Sequence, residues 1–340
     1  MSRVPQSRTA TFHDDCETEW KAFQDICHGE HLSGIIHAGD WFHLKNQSLY
    51  NPADILHYRD WVLGLNCPVW TVPGNHDLPQ SSYDNVNKTA YQTLVHATPN
   101  MHDVSFQSEE VPLACSPPCD SDRLPFVSVS GIPYLPLDKL FPQLEELDRR
   151  LAERVGGINI VILHPDALPR NDFFMFFKTC SWEDLLRKLP HATILVLGHI
   201  HNSFPILQTS EFSATGTPQF VCKAWSAGRV VRDYHQGTDV LEHQHQPSYT
   251  QIQIGLVDGQ LQIFCEYKVI PFVPFAQAFL METLKREVEK SARVSTFISS
   301  LQAQHGSVDQ MFSIENPGEY LNRMSVPKEV RELIEHYISQ

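Results

Sequence analysis

The chain has 340 residues, 42% of them hydrophobic and 19% charged, with 26 Lys and Arg against 40 Asp and Glu and a formal charge of −14. That balance excludes a basic module that coats nucleic acid and excludes disorder as the main state, and the length suits about two domains or one large one. No uninterrupted apolar run approaches the ~20 residues that span a bilayer, and the opening MSRVPQSRTATFHDD lacks the apolar centre of a signal peptide, so a soluble, cytoplasmic chain is expected. The eight cysteines have no framework spacing and read as reduced thiols. Cys115 and Cys119 form one close pair with no second Cys/His pair to complete a zinc site.

In chain order, Asp14 to Cys27 reads as a helix with Trp20, Phe23 and Ile26 on one side. GIIHAGD (34–40) reads as a buried strand ending in a polar cluster. Residues 52–65 form a helix presenting Ile55, Leu56, Trp61, Val62 and Leu65, and PVWTVPGNHD (68–77) is a second strand with a polar end. The Pro- and Cys-rich stretch 112–125 is a surface loop, VSVSGIPY a strand, and 136–155 a charged amphipathic helix entered through Pro136. INIVILH (158–164) and ATILVLGH (192–199) are further strands, each again delivering a polar residue. Ile252, Ile254 and Leu256, an Asp258-Gly259 turn, then Leu261, Ile263 and Cys265 predict a hairpin. Beyond Pro274 the pattern is helical, with 275–304 and 326–338 as the segments. The division expected is an α/β catalytic part over 1–272 and a smaller helical part over 273–340, the latter a docking or capping element.

Strands alternating with helices place a functional site at the carboxyl ends of the strands, where several of the 18 histidines lie. Four strand ends read Gly39-Asp40, Gly74-Asn75-His76-Asp77, His164 and Gly198-His199-Ile200-His201. In content and order these resemble motifs two to five of the calcineurin-like metallophosphoesterase superfamily. The residue types suit the chemistry on their own terms. Two divalent ions about 3.5–4 Å apart can clamp a phosphoryl group and generate a hydroxide for in-line attack. Neutral imidazoles and an amide complete the shells without the negative charge that would repel a phosphodiester, and the mix favours Mn²⁺, Fe²⁺ or Zn²⁺.

The resemblance implies an α/β fold, a β-sandwich flanked by helices in α-β-β-α order. It implies that Asp40 bridges two ions, that Asn75, His164 and His199 complete one site, and that His201 belongs to the other. His76 would stabilise developing charge or protonate the leaving oxygen. Asp77 would either orient His76 by accepting a ring N–H or cap the following turn.

The family's first motif, a strand ending in Asp-x-His ahead of Asp40, has no counterpart; the residues there include His13-Asp14-Asp15 with no apolar run before them. Truncation, ligands supplied by another chain, and a one-ion or inactive variant are the three explanations. Asp233-Tyr234-His235 is the single Asp-x-His present, and its order is wrong for the family. Loss of a central strand would forfeit apolar contacts at ~1.5–3 kcal/mol per large side chain, so something else must fill the slot or the core must rearrange.

Gly131-Ile132-Pro133-Tyr134, the Arg8-containing loop with the acidic helix after it, and GTPQFVCKAWSAGRVVR (216–232) resemble the SbcD-type DNA repair nuclease branch, particularly its phage-encoded members. In the last segment Arg229 or Arg232 would touch DNA. This branch implies a DNA phosphodiesterase, a homodimer and an SbcC-type ABC ATPase partner that grips DNA where an acidic chain cannot; a phage-encoded member would act in the host cytoplasm. The rival expectations are a phosphomonoesterase or protein phosphatase on the same fold, or a catalytically impaired scaffold subunit.

Overall fold

The computed structural model describes residues 10–42, 52–111, 126–154, 157–168, 173–174, 177–199, 204–208, 223–226, 247–257 and 260–273. Helix α1 (Phe12–Gly29) buries Phe12, Cys16, Trp20, Phe23 and Cys27, a three-and-four spacing that forms one stripe. Strand β1 (Ile35–His37) follows, then α2 (Pro52–Leu63), β2 (Val69–Thr71), α3 (Ala90–Ala97) and β3 (Met101–Asp103). Next come β4 (Ser108–Val111), β5 (Val127–Ile132), α4 (Leu137–Ala152) and β6 (Ile158–Leu163). Four two-residue strands, β7 (Ala167–Leu168), β8 (Phe173–Phe174), β9 (Phe177–Lys178) and β10 (Cys180–Ser181), precede α5 (Trp182–Lys188). The series closes with β11 (Ile194–Leu197), β12 (Phe204–Gln208), β13 (Lys223–Ser226), β14 (Ser248–Val257) and β15 (Gln260–Val269).

The main strands build two sheets. One is parallel, in the order β1-β2-β3; the other is six-stranded, β12-β13-β11-β6-β5-β4, parallel through its centre with antiparallel edges. Strand alternation decides the layers. In β6 and β11, Ile158, Ile160, Ile162, Ile194 and Val196 meet Trp70 and Val72 in a core between the sheets. Their alternate residues Val161, Leu163, Leu195 and Leu197 join Leu140, Leu144, Leu147 and Leu151 of α4 on the outer side. On the far side, Val69 packs with Trp20 and Phe23 of α1, Val62 of α2 and Leu94 of α3. The result is the expected α-β-β-α sandwich.

The predicted hairpin is longer than its apolar alternation suggested, an antiparallel ladder from Ser248 opposite Val269 to Val257 opposite Gln260. Its turn residues, and the helices expected at 275–304 and 326–338, lie outside the described residues. One expectation for 52–65 fails: Leu65, though buried, sits in the turn after α2, its N–H donating to the Val62 carbonyl, while Leu56 lies on the helix and is 45% exposed. No helix among the described residues is long and apolar enough to cross a membrane.

Among the described residues β1 has a strand neighbour on one side only. Ile35 N–H donates to the Pro68 carbonyl on the β2 side, so the Ile36 amide and carbonyl point to the opposite edge. Ile35, Ile36 and His37 are all half-buried, whereas Val69, Trp70 and Thr71 of β2 are fully buried. No described strand fills the place of the motif missing ahead of Asp40.

Candidate metal centre

Four chain segments converge. β1 leads through Ala38 and Gly39 to Asp40, β2 through Gly74 to Asn75, β6 directly to His164, and β11 through Gly198 to His199. One potential ligand atom each from Asp40, His164 and His199 lies within 4.8 Å of the others. His164 Nε2 is 3.2 Å from Asp40 Oδ2 and 3.3 Å from Asn75 Oδ1, and His199 Nδ1 is 3.1 Å from the same Asn75 oxygen. Atoms bonded to one ion at about 2.0–2.2 Å stand about 3.0–3.5 Å apart, so this set fits a single divalent cation.

The glycines explain why the segments can meet. A Cβ on Gly74 would lie 2.1 Å from Asp40 Oδ1 and 2.5 Å from its backbone nitrogen, and one on Gly198 would lie 2.1 Å from the Ala38 carbonyl oxygen. Gly39 has φ +90°, and a side chain there would strike His164 Nδ1 and the Gly74 nitrogen, each at 2.7 Å. Asp40 and His199 themselves take positive φ, 59° and 73°. Non-glycine residues there cost about 1–2 kcal/mol, so the strain falls on the two residues that swing their side chains off the strand ends into the cluster.

Each imidazole is held by its other nitrogen. His164 Nδ1 donates to the Ala38 carbonyl at 2.5 Å, and His199 Nε2 lies 2.9 Å from Asp166 Oδ1. Asp166 in turn accepts the Tyr134 hydroxyl at 3.0 Å. Burial opposes a charge on His164, but the Asp40 carboxylate and the Ala38 carbonyl outweigh it and hold its pKa above the ordinary imidazole value. Burial likewise pushes Asp166 up, and the hydrogen bonds from His199 and Tyr134 bring it below the usual carboxylate range.

Asp77 makes its described hydrogen bonds to the main chain of the surrounding loops. It is fully buried and accepts three main-chain N–H groups, from Asp40 and Gly74 at Oδ2 and from Phe42 at Oδ1, all at 2.9 Å. It thereby ties the Asp40 loop to the Asn75 loop. Burial, then the Asp40 charge, push its pKa up, against the pull of the Gly74 and Phe42 amides. His76 is half-buried beside Asn75, and its backbone N–H donates to Asp40 Oδ1 at 3.0 Å. His201, Arg229, Arg232 and the Asp233-Tyr234-His235 run lie outside the described residues, as do Cys115 and Cys119. The sequence reasoning passed over Asp166. Its signal was a carboxylate two residues beyond a strand-end histidine, His164-Pro165-Asp166, immediately before β7.

The chain belongs to the calcineurin-like phosphoesterase family, whose profile matches residues 12–203. It is similar to the 3′,5′-cyclic adenosine monophosphate phosphodiesterase CpdA of Escherichia coli strains K12 and O157:H7. Identity to each is 23% over 204 residues, 55% of this chain and 62% of the relative, so the match spans under two thirds of those proteins. Among solved structures it is similar to TT1561 of Thermus thermophilus, at 11% identity and TM-score 0.41, covering 74% of this chain and 93% of that one. It is also similar to the calcineurin-like phosphoesterase YfkN of Bacillus subtilis, at 10% identity and TM-score 0.44, covering 79% and 84%. Membership of this family agrees with the ligand cluster, since the class normally binds divalent metal ions.

Proposed function

We propose that the chain is a metal-dependent phosphodiesterase whose substrate is DNA, acting as an SbcD-type nuclease subunit. The observation that carries the phosphodiesterase part is the convergence of Asp40, Asn75, His164 and His199, one carboxylate among neutral donors. The DNA part is supported by Tyr134, which closes the GIPY segment that resembles the nuclease branch. Its ring centroid lies 5.9 Å from that of His199 and 6.3 Å from that of His164.

Asp40, Asn75, His164 and His199 would hold one divalent ion, Mn²⁺ by preference, and His201 would belong to a second. When bound, such ions polarise phosphoryl oxygens and make water nucleophilic near neutral pH. The chain's own contribution is positional. Asp40 is fixed by the His76 amide, and Asn75 adds a ligand oxygen without adding charge, which keeps the repulsion of a phosphodiester low. His76 donates a proton to the departing sugar oxygen, a role worth about 10²–10⁴-fold in rate. With a net charge of −14, tight hold on DNA falls to a partner, and a homodimer bound to an SbcC-type ATPase is the assembly proposed.

The test uses the purified chain with Mn²⁺ on DNA, bis-p-nitrophenyl phosphate, p-nitrophenyl phosphate and 3′,5′-cyclic AMP. Cleavage of DNA and the bis-ester is expected, and His76→Ala should lower both about 10²–10⁴-fold while ion content stays unchanged. A second assignment, a cyclic-nucleotide phosphodiesterase, is favoured by the acidic composition and by the activity named for the CpdA relatives. Hydrolysis of cyclic AMP without DNA cleavage would select it. Monoester preference would select a phosphatase, and an inert chain binding one ion or none would select the scaffold role.

A further inference from the structure

The two histidines of the centre are held in opposite ways. His164 has its Nδ1 on a main-chain carbonyl and turns Nε2 toward Asp40 and Asn75. His199 does the reverse, with Nδ1 toward Asn75 and Nε2 against the Asp166 carboxylate. A neutral imidazole has one N–H and one lone pair, and a carboxylate can only accept. The proton of His199 therefore belongs on Nε2, which leaves the Nδ1 lone pair facing the ligand cluster. With the carboxylate removed, the other tautomer becomes available. Nδ1–H would then donate to Asn75 Oδ1, which occupies two ligand atoms at once.

Three features make Asp166 a fixture. Its second oxygen accepts the Tyr134 hydroxyl at 3.0 Å. Its backbone carbonyl accepts the Cys180 N–H at 3.0 Å, where β7 and β10 pair. Tyr134 is itself tied to the Asn75 segment, its N–H donating to the Pro73 carbonyl at 3.1 Å. Segments that follow β5, β6 and β11 are thus joined by a chain of side chains from Tyr134 through Asp166 to His199.

We propose that Asp166, braced by Tyr134, is the positioning residue that sets the Nε2–H tautomer of His199 and so presents Nδ1 to the ion. The proposal rests on the metal-centre assignment above, and its test separates the two. Histidine ring ¹⁵N shifts of the metal-free protein are recorded above the imidazole titration range, with the His199 signals assigned by His199→Gln. In the wild type His199 should show a protonated Nε2 and an unprotonated Nδ1. Asp166→Ala should mix or reverse these states and weaken Mn²⁺ binding about 10–100-fold, the range typical when the partner of a ligand histidine is lost. Tyr134→Phe should shift both in the same direction by less, and it keeps the test valid should Asp166→Ala fail to fold.

An unchanged tautomer in Asp166→Ala and Tyr134→Phe overturns the proposal. With Mn²⁺ affinity lost and the tautomer unchanged, Asp166 would be a ligand itself, which also overturns it. If the wild type binds no Mn²⁺ while the tautomer still responds to Asp166→Ala, the metal-centre assignment fails and the positioning role stands.

Discussion

The two sheets bring their residues to the centre in different states. β6, which delivers His164, is flanked by β5 and β11 and buried along its whole length. β1, which delivers Asp40, is half-buried with one open edge among the described residues. On the six-stranded side, His164 leaves β6 directly and is fixed by the Ala38 carbonyl, while His199 follows β11 through a strained backbone and is fixed by Asp166. On the three-stranded side, the carboxylate hangs from a strained turn and is held by the buried clasp of Asp77. A strand end can thus place a ligand directly, as β6 does, or through strained backbone secured by a buried side chain, as beyond β1.

Amide exchange offers the widest separation between these regions. The Val161 amide lies in a ladder with strands on both flanks, whereas the Ile36 amide points away from β2. Ile36 should exchange at least about 10³-fold faster than Val161, since an open-edge amide needs no global unfolding to reach water. Equal protection would show that the β1 edge is covered in solution and would remove the contrast.

Asp77 comes next. Asp77→Ala leaves the Asp40, Phe42 and Gly74 amides without their acceptor and should cost about 2–4 kcal/mol, measured by denaturant unfolding. Asp77→Asn should cost about half as much, because its single oxygen can still take the two amides that share Oδ2. If the alanine variant loses Mn²⁺ binding but no stability, Asp77 serves the ligands and not the loops.

On the six-stranded side the matching change is Gly198→Ala, whose Cβ would meet the Ala38 carbonyl oxygen at 2.1 Å and His164 Nδ1 at 2.6 Å. It should cost about 1–3 kcal/mol and reduce ion affinity, as overpacking against backbone does. Gly255→Ala in β14, with no described atom within 4 Å, should change stability by no more than about 0.5 kcal/mol. Similar melting shifts for the two would contradict the close approach at the centre.

What could be read in advance follows the same division. The strand ends were legible as apolar runs whose period-two alternation is local information, as in Ile160 and Val161 facing different cores, and the resemblance to the family picked Asp40, Asn75, His164 and His199 at those ends. Asp166 and the clasp that Asp77 makes between two loops were not legible. Their roles depend on partners 33 and 37 residues away, His199 and the Asp40 amide, and no local period encodes such a meeting. The edge of β1 left open among the described residues was foreshadowed by the motif missing ahead of Asp40, though nothing in residues 34–40 marks the strand as lying at an edge.

The smallest effect concerns His37, at the end of β1. Its ring stacks on Trp41 with centroids 4.0 Å apart, and its Nδ1 accepts the Gly39 N–H at 3.3 Å. Burial, with His164 adding to it and Asp40 opposing, pushes its pKa down to about 4. The unfolded value is about 6.5. A base whose folded pKa is depressed contributes stability above its unfolded pKa and loses it as pH falls, here from about 6.5 to 4. His164, whose pKa is raised, has the opposite sign: its contribution is present at low pH and fades as pH rises through the folded value. In metal-free protein the stability of the wild type relative to His37→Gln should therefore decline between pH 6.5 and 4, read from unfolding midpoints across that window. Parallel pH profiles would mean that the β1 end is hydrated enough for His37 to titrate as it does in the unfolded chain. Such hydration would sharpen the contrast between half-buried β1 and fully buried β6.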